Sequence, residues 1–215
     1  GKPRVVVFIA VDALRADHLS GNNYKRPTTR EIDAFAAEAL CFPNALAPAS
    51  WAAPSLASVL TGASPREHGI RHGLPRPDGS IMGQEPLPDA LVTLAERFAA
   101  AGYATCAVTA SPHVTREFGF AQGFSQFLNL AGADAAQVTD RALGLLQEHA
   151  GQPLFLLVHY PDLQLPRQPR APFHEQFGGT EPPLPGLDGT AESLQATFSR
   201  LIASLSDSNQ AARAQ

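Results

Sequence analysis

Residues 5–11 read VVVFIAV, and Asp12 follows at once. A continuous run of apolar, mostly β-branched residues predicts a strand buried on both faces, as in a parallel sheet. Two similar runs lie far downstream, Ala104–Thr109 and Leu154–His159. Helical patterns separate them. Thr28-x-x-Glu31 reads as a capping box ahead of a stripe of Ile32, Phe35, Ala36 and Ala39. Pro54 suits the first position of a helix that ends at Gly62 and turns Leu56, Val59 and Leu60 inward. Leu91, Leu94, Ala95 and Phe98 form a third stripe closed by Gly102, and Val138, Ala142, Leu145 and Leu146 form a fourth. This alternation predicts an α/β fold with a mainly parallel sheet.

The chain changes character after Tyr160. Residues 161–186 contain seven prolines, which excludes a long helix or a central strand and predicts a surface loop. A weak stripe over Ala191–Leu205 predicts a last helix, and residues 207–215 read as a flexible polar tail. The length of 215 residues fits one domain with a sizeable core. Sixteen Lys and Arg against twenty Asp and Glu give a net charge of −4, which argues against a nucleic-acid footprint. Two cysteines exclude a disulfide-stapled miniprotein, and no apolar run approaches the ~20 residues of a transmembrane segment. The opening Gly1–Arg4 leads straight into the first strand, so a processed or excised piece is expected.

In α/β sheets, ligands bind outside the carboxyl ends of the strands. That rule nominates Asp12, Ser111–His113 and His159, each just at or beyond a predicted strand end. The run Ser50-Trp51-Ala52-Ala53-Pro54-Ser55 leads into a helix start, where exposed amides favour an anion. Each residue also has a plain structural reading. Asp12 can cap a turn, His159 can be a satisfied core histidine, His113 can be a loop residue, and Ser50 and Ser55 can cap a helix. His68 and His72, in a Gly-rich turn, read as structural. A nucleotide-binding domain is disfavoured, because no G-x-G-x-x-G or P-loop pattern follows the first strand.

Several blocks in fixed order resemble one known family. VVVFIAVDALRADHLS is followed by RPTTREIDAFAAEALCFPNALAPASWAAPSLASVLTGASPREHGI, by LPDALVTLAERFAAAGYATCAVTASPHVTREFGFAQGFSQF and by PLFLLVHYPDLQLP. Together they are similar to the N-terminal portion of the sulfatase family, within the alkaline-phosphatase superfamily, over about residues 4–166. The resemblance implies a three-layer αβα sandwich around a mainly parallel sheet. It implies hydrolysis of sulfate esters, with phosphate or phosphonate esters as relatives, assisted by a divalent cation, usually calcium. Asp12 matches the first metal-binding aspartate of the motif. Ser111, His113, His159 and Gln164 fall where the resemblance places substrate contacts. The implied partner is a small anionic ester or a glycan, and the implied compartment is extracytoplasmic or periplasmic.

The departures from the family pattern are specific. The nucleophile slot, two residues before the proline, is Ala52, whose methyl group cannot attack. The arginine common after that proline is Leu56, and a substrate-contacting histidine is replaced by Gln164. Ser50 carries the nearest hydroxyl on the lead-in side but is displaced by two positions, and even an ångström of misplacement costs about 100-fold. The family's second metal block, a Ser-Asp-His-Gly-like stretch, is expected further downstream and does not occur in these 215 residues. The expectation is therefore a sulfatase-like domain, incomplete at its C-terminus, with a degenerate site, inactive as a hydrolase and prone to self-association. The competing reading is a non-catalytic sulfatase fold kept as a binding or structural module.

Overall fold

The computed structural model describes residues 4–75 and 81–164. The chain divides into two compact units: Gly1–Ala16 with Glu31–Leu163, and Asp17–Arg30 with Gln164–Gln215. The expected helix over Ala191–Leu205, the tail at 207–215 and most of the Pro-rich loop at 161–186 lie outside the described residues.

The first unit is built on a four-stranded parallel sheet of β1 (Val5–Val11), β4 (Ala104–Thr109), β5 (Gln126–Asn129) and β6 (Leu154–Tyr160). Their order across the sheet is β1-β6-β4-β5. β2 (Leu74–Pro75) and β3 (Ile81–Met82) make a separate antiparallel pair. Because β1, β6 and β4 run the same way in register, Ala10, His159 and Thr109 lie side by side near one rim.

The sheet is covered on both faces. On one, α2 (Ala52–Thr61) and α4 (Leu94–Ala100) bury Ala53, Leu56, Ala57, Leu60 and Ala95 against Ala107, Phe155 and Leu157. Phe98 stacks on Phe155 at 4.3 Å, and Phe124 stacks on the same ring at 5.9 Å. Side chains of this size each contribute about 1.5–3 kcal/mol when fully buried. On the other face, α5 (Ala135–Glu148) packs Val138, Ala142 and Leu145 on Cys106, Val108, Leu154, Leu156 and Val158. This layering matches the α/β sandwich expected from the sequence.

Local sequence explains the helix ends. Thr93 accepts the Glu96 amide while Glu96 returns a carboxylate oxygen to the Thr93 amide, a reciprocal cap that starts α4. Asp134 and Gln137 do the same for α5. α2 stops at Gly62, which takes φ +74°, a conformation that is cheap only for glycine.

Several expectations require correction. β1 is buried on one face only: Val6, Phe8 and Ala10 pack inward, while Val5, Val7 and Ile9 are 47%, 43% and 60% exposed. Within the described sheet β1 is an edge strand, and α5 sits over β4 and β6. The strands buried on both faces are instead β4 and β6. α1 (Arg30–Ala36) forms but buries none of its stripe, and Phe35 is 75% exposed. Thr28 does not cap it through its side chain; that hydroxyl donates to the His18 carbonyl. α2 begins two residues before Pro54, and Val59 faces outward. α3 (Pro65–His68) is held by a capping box of Ser64 and Glu67. His68 ties it to α2: its Nδ1 accepts the Ile70 amide, so its Nε2 carries the proton toward Ser58 Oγ at 3.0 Å. With that nitrogen protonated, His68 cannot act as a base on Ser58.

In the second unit, the segment Asp17–Arg30 is closed on itself by Thr29, whose hydroxyl oxygen accepts the Ser20 amide at 2.9 Å and lies 2.8 Å from Ser20 Oγ.

Candidate functional site

The parallel register brings three strand ends to one rim. Asp12 leaves β1 with its amide still donating to the Tyr160 carbonyl, which carries the ladder one residue past the strand and sets its carboxylate at the sheet edge. His159, fully buried on β6, places Nε2 3.0 Å from Asp12 Oδ2. The contact is close but does not meet the geometry of a well-formed hydrogen bond. The other ring nitrogen, Nδ1, is 2.9 Å from Thr109 Oγ1 on the neighbouring strand. Thr109 Oγ1 also accepts the Ser111 amide at 3.1 Å, which shapes the turn that follows β4.

That turn presents His113. Ser111 is fully buried, and its hydroxyl oxygen accepts the His113 amide at 3.2 Å. Asn129, at the end of β5, braces the turn by donating to the carbonyls of Ser111 and Val114. Gln84 grips His113 at two points: its Nε2 donates to the His113 carbonyl at 2.7 Å, and its Oε1 is 2.9 Å from His113 Nδ1. Burial pushes the His113 imidazole below its ordinary pKa, and the Asp12 carboxylate pulls it partly back. Asp12 and His113 therefore feel each other's charge.

The start of α2 reaches the same place through Trp51. This residue stands at the helix N-cap, and its ring meets His113 edge-on at 5.2 Å. Ala52, immediately after it, is buried with 8% exposure. Gly73 lies under the Trp51 ring, where a Cβ would fall 2.7 Å from Trp51 Cη2. Asp12 thus lies against His159 and acts electrostatically on His113, whose ring in turn meets Trp51 at the start of α2.

The remaining candidates sit differently. Ser50 is exposed. Ser55 donates its hydroxyl to the Ala49 carbonyl at 2.8 Å, a local tie at the helix start. Gln164 falls in the second unit. Sequence reasoning missed Thr109, Gln84, Gly73 and Asn129. Thr109 had a usable signal, since registering the second and third apolar runs puts it beside His159; Gln84 lies in an irregular segment with no periodicity to announce it.

The residues do not fit a calcium ion. Such an ion takes six to eight oxygens, whereas among the described residues Asp12 is the carboxylate found at this rim and a buried imidazole nitrogen lies against it. Among the described residues no three His, Cys, Asp or Glu side chains gather closely enough to hold a metal. Chemically, the rim offers a carboxylate–imidazole pair, a second imidazole kept toward its neutral form and a helix start that carries a methyl group.

Comparison with known proteins agrees with this architecture. The sulfatase family model matches residues 4–211. Arylsulfatase A of Bos taurus is 37% identical over 103 residues, which is 48% of this chain and 20% of that protein. The chain therefore spans a minor part of that relative's length. Among solved structures, Ps i-CgsB in complex with k-i-k-neocarrahexaose superposes with a TM-score of 0.67 at 18% identity, covering 98% of this chain and 56% of that one. The C-terminal periplasmic domain of EcEptC from Escherichia coli gives a TM-score of 0.58 at 19% identity, covering 98% and 60%. By sequence match across nearly its whole length, and with the fold of these structures, the chain belongs to the sulfatase family.

Proposed function

We propose that this chain carries a sulfatase crevice without its nucleophile, shaped for a small anionic ester, such as a sulfated glycan, that it does not hydrolyse. One chain of observations supports the reading. Asp12 lies against His159 and acts electrostatically on His113, the His113 ring meets Trp51 at the N-cap of α2, and the first residue of that helix is Ala52. A methyl group can form no covalent intermediate, and the neighbouring Ser55 hydroxyl is committed to a backbone carbonyl. An extracytoplasmic setting is part of this proposal, supported by the likeness to a periplasmic domain; among the described residues no helix is long and apolar enough to cross a membrane.

The test is turnover of an aryl sulfate and an aryl phosphate, each with calcium, magnesium or manganese added. The native protein is expected to be silent. Activity that first appears in Ala52→Thr or Ala52→Cys would show that the crevice lacks the nucleophile alone. Activity of the native protein that Asp12→Ala abolishes would overturn the proposal, and its preference between the two esters would then assign the reaction.

A further inference from the structure

We propose that Gln84 is a positioning residue that fixes which nitrogen of His113 carries the proton. The inference rests on the reading above only in treating His113 as part of the crevice.

The argument is one of donors and acceptors. Gln84 Nε2 lies 2.7 Å from the His113 carbonyl oxygen. A carbonyl oxygen only accepts, so the amide nitrogen of Gln84 must occupy that place, and its orientation is settled. Gln84 Oε1 is then the atom 2.9 Å from His113 Nδ1. An amide oxygen also only accepts, so Nδ1 must hold a hydrogen. A neutral imidazole has one N–H, which leaves the lone pair on Nε2. Gln84 is 7% exposed, so water competes weakly for either bond.

His159 shows the opposite arrangement. Its Nε2 faces the Asp12 carboxylate at 3.0 Å, where a lone pair would be repelled, so the proton belongs there. Its Nδ1 accepts from the Thr109 hydroxyl, which itself receives the Ser111 amide. Of the two imidazoles, His159 has both nitrogens directed at protein groups, and His113 keeps a basic nitrogen. Any proton or hydrogen-bond donor that this rim accepts from a ligand through an imidazole is therefore taken by His113 Nε2.

Gly73 is part of the device. A Cβ at that position would fall 3.2 Å from Gln84 Oε1 as well as 2.7 Å from Trp51 Cη2. A bare backbone here lets Trp51 and Gln84 close on His113 from two sides.

The test reads the tautomer directly and needs no turnover. The full chain, labelled with nitrogen-15, is examined by long-range proton–nitrogen correlation at about pH 8, above the ordinary histidine range. The His113 signals are assigned by their loss in His113→Gln. The native protein is expected to show a single Nδ1–H form. Gln84→Leu removes the acceptor and is expected to convert it to a mixture or to the Nε2–H form. Gln84→Glu keeps an acceptor for Nδ1–H and retains the native form. Gly73→Ala, which disturbs the amide without removing it, gives a partial change. An Nε2–H form in the native spectrum overturns the proposal whatever the variants do. An unchanged His113 pattern in folded Gln84→Leu overturns it as well. Because the spectrum is read without substrate, this result stands apart from the turnover assay.

Discussion

Replacing Gly123 with alanine should be among the most damaging single-methyl additions to this protein. Gly123 sits at φ +82°, and a Cβ there would fall 2.6 Å from Glu96 Cγ, 2.9 Å from Thr93 Oγ1 and closer still to the Glu96 amide nitrogen. These atoms form the reciprocal cap that starts α4, and Gln122 also donates to Glu96. The backbone cannot yield without opening the cap. Three costs combine: about 1–2 kcal/mol for a left-handed non-glycine residue, about 1 kcal/mol for the lost cap and about 1–3 kcal/mol for the steric wedge. A loss of about 3–6 kcal/mol is a large share of the ~5–15 kcal/mol that holds a domain together. At about 2–4 °C per kcal/mol, Tm should fall by roughly 10–20 °C. Gly132 is the control, since it has φ +79° but nothing within 4 Å of its Cβ position. Gly132→Ala should show the backbone cost alone. Urea and thermal unfolding followed by circular dichroism measure both variants. A Gly123→Ala loss no greater than that of Gly132→Ala would refute the reasoning.

Two further outcomes follow from charge and surface. Burial lowers the His68 pKa, so between that lowered value and about 6.5 the unfolded chain binds more protons. Stability should therefore decline as pH falls from about 7 through 6.5, and His68→Gln should flatten that part of the profile; a profile identical in both proteins would remove His68 from the account. Phe35, Leu40, Phe42 and Leu46 are 75%, 89%, 77% and 93% exposed within a short stretch. Such a run favours association, so sedimentation should show concentration-dependent oligomers that Phe42→Ser with Leu46→Ser shifts toward monomer, and a native protein monomeric throughout would contradict this.

How much of this was legible in the sequence depended on the range of the forces involved. β1, β4 and the core of β6 were visible because a continuous apolar run reports burial residue by residue. α5 was visible because its stripe repeats at helical spacing, although its Asp134–Gln137 cap went unread. Burial of a given face was less legible. VVVFIAV has the composition of a central strand, yet which of its faces is covered depends on where α5 lands, and that helix is more than a hundred residues away. Asp12, His113 and His159 could be nominated from the strand-end rule alone. Thr109 and Gln84 could not, because their roles come from hydrogen bonds across the sheet and across an irregular loop. The likeness to sulfatases nominated Ala52 for the nucleophile slot but gave no sign of Trp51 packing on His113.

The parallel ladder also orders events during folding. β1 pairs with β6, so that Val5 lies beside Leu154 and Arg4 reaches the Gly151 carbonyl. Almost the whole described chain must loop back before the first strand gains its described neighbour, and closures of that length are slow. The rim is consequently a late product. A nascent chain that has emerged only through β5 has made the aspartate and one imidazole, but it has nothing yet to bring Asp12 beside His159.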